Sequence, residues 1–362
     1  MCSDPNCSHG KSLPSWFVDD LGPLGVPYDK KEDFLIPPES SHGSLFLPGR
    51  LEKGYHVAEL KDGVYWVTSG WYDCLFIRTG SGVIVVDAPP ALGENLLEAI
   101  ESVTDEPVTH VIYSHWHADH IGAASIFGPK VKRVGHEKTR ELLERFPDPD
   151  RPPPMETFSR ETTLDVNGVK VELSYKGQNH CEGNIFIYVP GPKVLAAIDV
   201  ASPGWVTFRD CDSSESLCGY ADAFDKILEY DFDYLISGHV SKTGGREDVI
   251  EGREYMHDLM GSAREALETI PISYFLKDIE GTSYRAAFRW AEQAYFNALT
   301  NYVTKQVLTK KTSNGKTWAQ RLNGADVMTK NNAYFCIEKT RLEMNHNGYV
   351  KRGNVHPPKF FG

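Results

Sequence analysis

The sequence contains no run of about 18 consecutive apolar residues, the length that a membrane-spanning helix requires. We therefore expect no contact with a membrane. Residues 1–5 also lack the basic flank that precedes the apolar stretch of a secretory signal peptide, so none is expected. Cysteine is scarce, with 7 scattered residues in a chain of 362, and this odd set favours reduced thiols and a cytoplasmic location.

Positive charge is scarce as well, since 38 Lys and Arg residues face 50 Asp and Glu residues and the formal net charge is −12. Nucleic-acid-binding proteins usually carry a basic surface, so this balance predicts no nucleic-acid partner. The hydrophobic fraction of 41% and the aromatic fraction of 11% can build a core, which excludes disorder as a description of the whole chain. The length fits one large domain with additions, or two domains.

The residue pattern divides the chain into three parts. Residues 1–50 are rich in Ser, Pro and Gly without sustained periodicity, and we interpret them as an N-terminal arm. Residues 51–262 hold two β-rich blocks that alternate with helical segments, which predicts a layered α/β sandwich. In the second block, Asn167-Gly168 between apolar residues predicts a tight hairpin. Residues 263–362 are predicted to form a mostly helical C-terminal extension.

The C-terminal extension contains a strong helical pattern over residues 284–308. Apolar residues recur there at helical spacing and indicate a helix with one apolar face, formed by Ala287, Trp290, Ala294, Ala298 and Tyr302. This face would pack on the sandwich, cap the active site or form the interface of a homodimer. The sequence does not choose among the three.

The densest cluster of chemically active residues follows an apolar strand predicted over residues 108–114. Residues 115–120 read His-Trp-His-Ala-Asp-His, so four of the six can bind a metal: His115, His117, Asp119 and His120. Such a string can hold two ions side by side. Each zinc ion needs three or four N, O or S ligands, so further ligands must come from elsewhere in the chain.

Three more candidate ligands lie at boundaries between predicted strands and loops. His180 precedes the strand predicted over residues 185–189, whereas Asp199 and His239 each follow an apolar strand. A rigid sheet presents such residues to a cleft, because strands end where loops begin. Burying this many polar groups without a bound ion would cost free energy, so the set favours a metal centre.

This ordered set resembles the metallo-β-lactamase fold superfamily over roughly residues 55–245, including the segment Gly-Val-Ile-Val-Val-Asp at 82–87. The resemblance implies an αββα sandwich. It also implies that His115, His117 and His180 bind a first metal ion and that Asp119, His120 and His239 bind a second. Asp199 would bridge the two ions. Asp87 would support the ligands, and Gly122 and Gly238 would allow close backbone packing beside them.

The resemblance further implies a dinuclear zinc hydrolase, in which a metal-bridging hydroxide attacks the carbonyl of a small lactone, ester or lactam. Mn²⁺ or Fe are alternatives to the two Zn²⁺ ions. Asp119 is expected to orient the nucleophile and pass a proton, and Tyr220 is a candidate donor to the carbonyl oxygen. Four aromatic residues are candidates to line the substrate pocket: Trp71, Tyr72, Trp205 and Phe208.

Fold alone does not select the reaction, and three other functions stay open. The first is a thioesterase like glyoxalase II, or an alkylsulfatase. No basic glutathione-binding residues are evident, and residues 240–244, Val-Ser-Lys-Thr-Gly, depart from the glyoxalase II pattern. The second is a mononuclear iron persulfide dioxygenase, which would leave the second site unused. The third is a non-catalytic binding module, against which the complete ligand set argues.

Overall fold

The computed structural model of the protein describes residues 51–276, 285 and 287–344. The N-terminal arm predicted over residues 1–50 lies outside the described residues. The strands are β1 His56–Lys61, β2 Val64–Thr68, β3 Asp73–Arg78, β4 Val83–Val86, β5 Val108–Ile112, β6 Lys132–His136, β7 Glu156–Phe158, β8 Glu161–Val166, β9 Val169–Ser174, β10 Phe186–Val189, β11 Val194–Ala196 and β12 Tyr234–Ile236.

The helices are α1 Asn95–Glu101, α2 Ala118–Ile121, α3 Glu137–Arg145, α4 Leu217–Leu228, α5 Arg246–Thr269, α6 Ser273–Leu276, α7 Gln293–Thr309, α8 Trp318–Arg321 and α9 Ala325–Glu343. A 3₁₀ turn at Ala124–Phe127, a short segment at Arg209–Ser213 and a π-helical turn at Ala287–Glu292 complete the elements. In the described part of the chain, no helix is both long enough and apolar enough to cross a bilayer.

Two sheets form the centre of the sandwich. The first has the order β1-β2-β3-β4-β5-β6-β7, and the second has the order β12-β11-β10-β9-β8. Strands β1 to β4 pair antiparallel, whereas β4 to β7 run parallel. In the second sheet β11 and β12 also run parallel. Parallel neighbours end at the same edge of their sheet, which brings the loops after them together.

Three apolar clusters hold the layers together. One lies between the two sheets and includes Trp66, Leu75 and Ile187. A second packs the first sheet against α1, and a third packs the second sheet against α4, α5, α7 and α9. Each sheet is therefore apolar on both faces, which confirms the predicted αββα arrangement.

The hairpin predicted at Asn167-Gly168 is confirmed. Val166 and Val169 are paired in the antiparallel ladder of β8 and β9, so Asn167 and Gly168 alone form the turn. The φ angles of Asn167 and Gly168 are 54° and 85°, the left-handed conformations that a two-residue hairpin requires. Asn and Gly adopt positive φ more readily than other residues, which explains why the sequence signal was reliable here.

The boundary expected between residues 262 and 263 falls inside helix α5, so no break in secondary structure marks it. Helices before and after this point contribute to a single apolar cluster, which contains Phe224, Tyr255, Leu299 and Trp318. The C-terminal helices therefore share the core of the sandwich. A homodimer through these helices stays a prediction.

The apolar face indicated for residues 284–308 does not pack on the sandwich through Trp290 or Ala294, and the side chain of Ala287 lies outside the described residues. Trp290 is 65% exposed and Ala294 is also exposed, whereas Tyr295, Leu299 and Val303 are fully buried. Trp290 lies in the π-helical turn Ala287–Glu292, immediately before α7. Burial of the larger side chains on the neighbouring face then sets the orientation of α7.

Candidate metal centre

The seven predicted ligands lie at one edge of the sandwich. His115 follows β5, and the short helix α2 begins after His117 and carries Asp119 and His120. The other three come from loops that follow β9, β11 and β12. Because β11 and β12 are parallel, Asp199 and His239 emerge side by side, and Asp199 N–H donates to the carbonyl oxygen of Ser237 at 3.0 Å.

The side chains form two groups that could each hold a metal ion. In the first, His115, His117 and His180 lie together with Cys181, and their ligand atoms are all within 4.8 Å of one another. The second group meets the same criterion and contains Asp119, His120, Asp199 and His239. This division differs from the one that the sequence implied in two respects: Cys181 joins the first group, and Asp199, expected to bridge the two ions, belongs to the second group alone. No sequence signal singled out Cys181, although it directly follows a predicted ligand.

Asp199 is the centre of the arrangement. One carboxylate oxygen lies 3.4 Å from Nε2 of His115, 3.0 Å from Nε2 of His120 and 3.4 Å from Nε2 of His180. The other oxygen lies 3.0 Å from Nε2 of His239. A single carboxylate thus contacts histidines of both groups, as a bridging ligand must.

Burial and neighbouring charges shift the pKa values of the cluster residues in different directions. Burial opposes ionisation of Asp199, but His120, His239 and His180 hold its pKa well below the usual range. Burial lowers the pKa of His180 to about 4 and that of His115 well below the usual value, so both imidazoles are neutral near pH 7. Burial would lower the pKa of His120 too, yet Asp199 raises it to about 9.

The donor set fits divalent metal ions. Nε2 of the fully buried His115 and Oδ1 of Asp199 lie near charged neighbours, but among the described residues neither atom makes a hydrogen bond of acceptable geometry. Buried polar atoms without partners are rare in folded proteins, because each costs free energy unless something satisfies it. Imidazole nitrogens and carboxylate oxygens are the ligands that zinc, manganese and iron accept. Metal ions bound here would satisfy these atoms.

Asp87 supports the cluster from behind. Its Oδ1 accepts a hydrogen bond from the backbone N–H of Ser114 at 2.8 Å, and the Ser114 hydroxyl lies 2.9 Å from Nδ1 of His115. Burial raises the pKa of Asp87 to about 6. Such contacts fix the orientation of a ligating imidazole ring. Asp87 therefore orients a ligand through Ser114, in the supporting role that the sequence indicated.

Two glycines pack against this centre as expected. A Cβ atom added to Gly122 would lie 2.3 Å from the Ala118 carbonyl oxygen. At Gly238, φ is +87°, and a Cβ atom would lie 2.8 Å from Cε1 of His120 and 2.7 Å from Cγ2 of Ile198. The His120 ring thus rests directly on the backbone of residue 238.

Gly238→Ala is therefore expected to weaken metal binding by about 10- to 100-fold, the usual effect of displacing a ligand's support. The methyl group would push the His120 ring and would strain a left-handed backbone. Metal affinity is measured by competition with a chromophoric chelator. Gly261→Ala is the matched control, because a Cβ atom there meets no atom within 4 Å. Equal affinities in the two variants would contradict the expectation.

Of the four aromatic residues predicted for the pocket, two contact the ligands. The centroid of the Tyr72 ring lies 4.7 Å from the centroid of the His239 ring and 5.7 Å from that of the His120 ring. The Phe208 ring lies 5.8 Å from that of His239, and Trp205 contacts Phe208 at 5.9 Å. Trp71 is 58% exposed beside Tyr72. Sequence reasoning overlooked Trp116 inside the motif, whose ring is 5.2 Å from that of His117.

Tyr220 lies elsewhere than its predicted role requires. It is fully buried in helix α4, where its hydroxyl donates to the Val200 carbonyl oxygen at 2.7 Å and also contacts the Asp212 carboxylate. A hydroxyl that is enclosed and bonded in this way does not face a substrate. Amphipathic packing of α4 places it, which local sequence does not reveal.

Several known proteins are similar in sequence to this chain. The family model for the metallo-beta-lactamase superfamily matches residues 72–239. The alpha subunit of a 2,4-dinitroanisole O-demethylase from Nocardioides sp. (strain JS1661) is 28% identical over 257 residues, covering 67% of this chain and 77% of that protein. A metallo-beta-lactamase type 2 from Bacillus sp. (strain 170) is 30% identical over 125 residues, covering 34% of this chain and 48% of that protein.

Among solved structures, a metallo-beta-lactamase from Pontibacter korlensis aligns with a TM-score of 0.48 and 20% identity, covering 54% of this chain and 95% of that chain. The family-model match spans the loops that carry all seven histidine and aspartate ligands. Residues 72–239 therefore match the metallo-beta-lactamase superfamily domain, which is consistent with a metal-dependent enzyme.

Proposed function

We propose that the chain is a dinuclear zinc hydrolase that cleaves a carbonyl bond of a small lactone, ester or lactam. The observation that supports this most directly is the position of Asp199. Its two oxygens lie 3.0–3.4 Å from four imidazole nitrogens that belong to both ligand groups. One carboxylate shared by two ligand groups is the arrangement of a two-ion centre.

When bound, two divalent ions would supply an activated water and polarise the substrate carbonyl. The protein's own residues would orient and move protons. The Asp119 side chain is 44% exposed, whereas that of Asp199 is only 5% exposed, so Asp119 stands at the mouth of the site. An accessible carboxylate in this position can take a proton from the nucleophile and return it to the leaving group.

We propose that the hydroxyl of Tyr72, and not that of Tyr220, donates to the carbonyl oxygen of the substrate. Tyr72 is half-buried beside Asp119 and Asp199, and burial, together with these two negative charges, raises the pKa of its phenol. The hydroxyl therefore keeps its proton at neutral pH and is able to donate to an oxygen that develops negative charge. Phe208, whose ring also contacts that of His239, supplies an apolar wall, so the substrate would be partly apolar.

An activated aromatic ether is a second candidate substrate. The relative from Nocardioides that is named as a 2,4-dinitroanisole O-demethylase subunit matches more of this chain than the Bacillus lactamase does. The aromatic side chains of Tyr72, Trp116 and Phe208 lie at the ligand histidines, where they can stack on an aromatic ring.

A substrate panel tests both candidates. The metal-free protein is reconstituted with zinc, manganese or iron and assayed on one lactone, one thioester, one β-lactam, one sulfate ester and one dinitro-substituted aryl ether. We expect zinc-dependent turnover of the lactone or the β-lactam and loss of turnover in His117→Ala. One iron per chain with persulfide oxidation, or no turnover of any substrate, would overturn the hydrolase proposal.

A further inference from the structure

We propose that helix α9, far from the metal ligands in sequence, belongs to the active site because its Asn332 holds the segment that positions Phe208 beside His239. Asn332 is a positioning residue in this proposal, since it contacts neither ligand nor substrate. The effect on substrate binding rests on the proposed function. The effect on backbone conformation does not, and it is measured separately.

The segment after Phe208 has an unusual backbone. Residues 210–213 all have positive φ angles, between 50° and 57°, and none of them is glycine. Left-handed conformations are unfavourable for residues with a Cβ atom and normally occur singly. Four in succession persist only when contacts from the surrounding structure determine them. Other parts of the chain must therefore hold this segment in place.

Two adjacent asparagines of α9 supply these contacts. Asn332 is fully buried, and its Oδ1 accepts a hydrogen bond from Cys211 N–H at 3.1 Å while its Nδ2 donates to the Thr207 carbonyl oxygen at 2.7 Å. Asn331 Oδ1 accepts from Asp210 N–H at 2.6 Å. The Asn332 amide thus ties together both ends of a loop that surrounds Phe208, and it uses both its donor and its acceptor to do so.

This loop is connected to the metal centre. The chain runs from Asp199 into the loop, and the centroid of the Phe208 ring lies 5.8 Å from that of the His239 ring. Within the loop, the Asp212 carboxylate accepts hydrogen bonds from Phe208 N–H at 3.0 Å and from the Thr207 hydroxyl at 2.9 Å. A change in the backbone at Asp212 would therefore move Phe208 directly.

Hydrogen exchange of the metal-loaded protein provides a readout that does not depend on turnover. In Asn332→Ala we expect the amides of residues 204–214 to exchange about tenfold faster, because the segment loses the contacts that fix it. Residues 114–122 and the metal content should be unchanged. Asn297→Ala, on the exposed face of α7, is the control and should leave both regions as they are. If the alanine variant does not fold, Asn332→Asp keeps an acceptor but replaces the donor by a carboxylate oxygen, which is repelled by the Thr207 carbonyl oxygen, and gives the same readout.

A rescue experiment separates backbone positioning from simple packing. Asp210→Gly removes the Cβ atom from a left-handed residue, and no hydrogen bond of the Asp210 side chain occurs in the described structure. Introduced into Asn332→Ala, it should restore at least half of the lost protection of residues 204–214. Exchange in Asn332→Ala within about twofold of the natural protein, or no rescue by glycine, would overturn the proposal.

Kinetics then report on the substrate. In Asn332→Ala we expect KM to rise about tenfold with a much smaller change in kcat, because a displaced Phe208 alters binding rather than the reacting groups. A fall in kcat of about tenfold with an unchanged KM would contradict the proposal that Asn332 positions Phe208 for substrate binding. If no substrate is hydrolysed even by the natural protein, the proposed function fails, whereas the exchange data still decide whether Asn332 holds the segment.

Discussion

Asp199→Asn is expected to abolish two-ion binding and to reduce hydrolysis on the order of 10³-fold. The amide has the shape of the carboxylate but no negative charge, and it offers one acceptor oxygen where Asp199 offers two. Asp199 lies within 3.4 Å of His115, His120 and His180 and within 3.0 Å of His239, so all of these would lose their shared anionic partner. Metal affinity should fall by more than about 100-fold, beyond the loss caused by removing a residue that only supports a ligand.

The measurement is metal content by mass spectrometry alongside turnover of the best panel substrate. Asp222→Asn, an exposed aspartate on helix α4, is the matched control and should retain both. Circular dichroism should show the same secondary structure in the two variants. Two ions per chain in Asp199→Asn, together with more than about a tenth of the natural activity, would refute the bridging role.

The second large effect concerns the core that the C-terminal region shares with the sandwich. Trp318→Ala should lower the free energy of unfolding by about 3–5 kcal/mol. Trp318 is fully buried, its indole N–H donates to Asp258 at 3.0 Å, and its ring lies 5.4 Å from that of Tyr255. The Arg321 guanidinium lies 4.4 Å from the same ring. The substitution would leave a cavity and would also remove the hydrogen bond and the aromatic contacts.

Urea unfolding followed by circular dichroism measures this loss. Trp290→Ala is the control, because Trp290 is the same residue type in the same region but is 65% exposed, and its replacement should change stability by less than about 0.5 kcal/mol. A similar small change in Trp318→Ala would mean that α8 is not part of the cooperative unit. Since natural domains are stable by only about 5–15 kcal/mol, the expected difference is readily detected.

Local signals predicted the parts of the structure that local physics determines. Asn167-Gly168 forms the expected turn because its backbone preferences and the strand twist agree. The string around His115 was recognisable because four potential ligands within six residues are typical of a metal centre. In each case the determining residues are close in sequence.

The parts that the sequence did not predict depend on distant contacts. Residues 210–213 adopt their conformation because Asn331 and Asn332, on another helix, bind their N–H groups. Tyr220 was assigned to the substrate from its residue type, but the packing of α4 buries it. The stripe through Trp290 and Ala294 faces away from the core, because the larger side chains of the neighbouring face of α7 are buried there. No local pattern carries this information.

The shared cluster of α4, α5, α7 and α9 also has a consequence for synthesis. When the chain has been translated as far as His239, all seven metal ligands exist, but most of the helices that cover the outer face of the second sheet have not yet been made. Domains usually fold in order as they leave the ribosome, and exposed apolar surface at that stage promotes aggregation. A metal centre that assembled at that stage would lie on a largely uncovered sheet, and Phe208 would be held in place only after Asn332 had emerged.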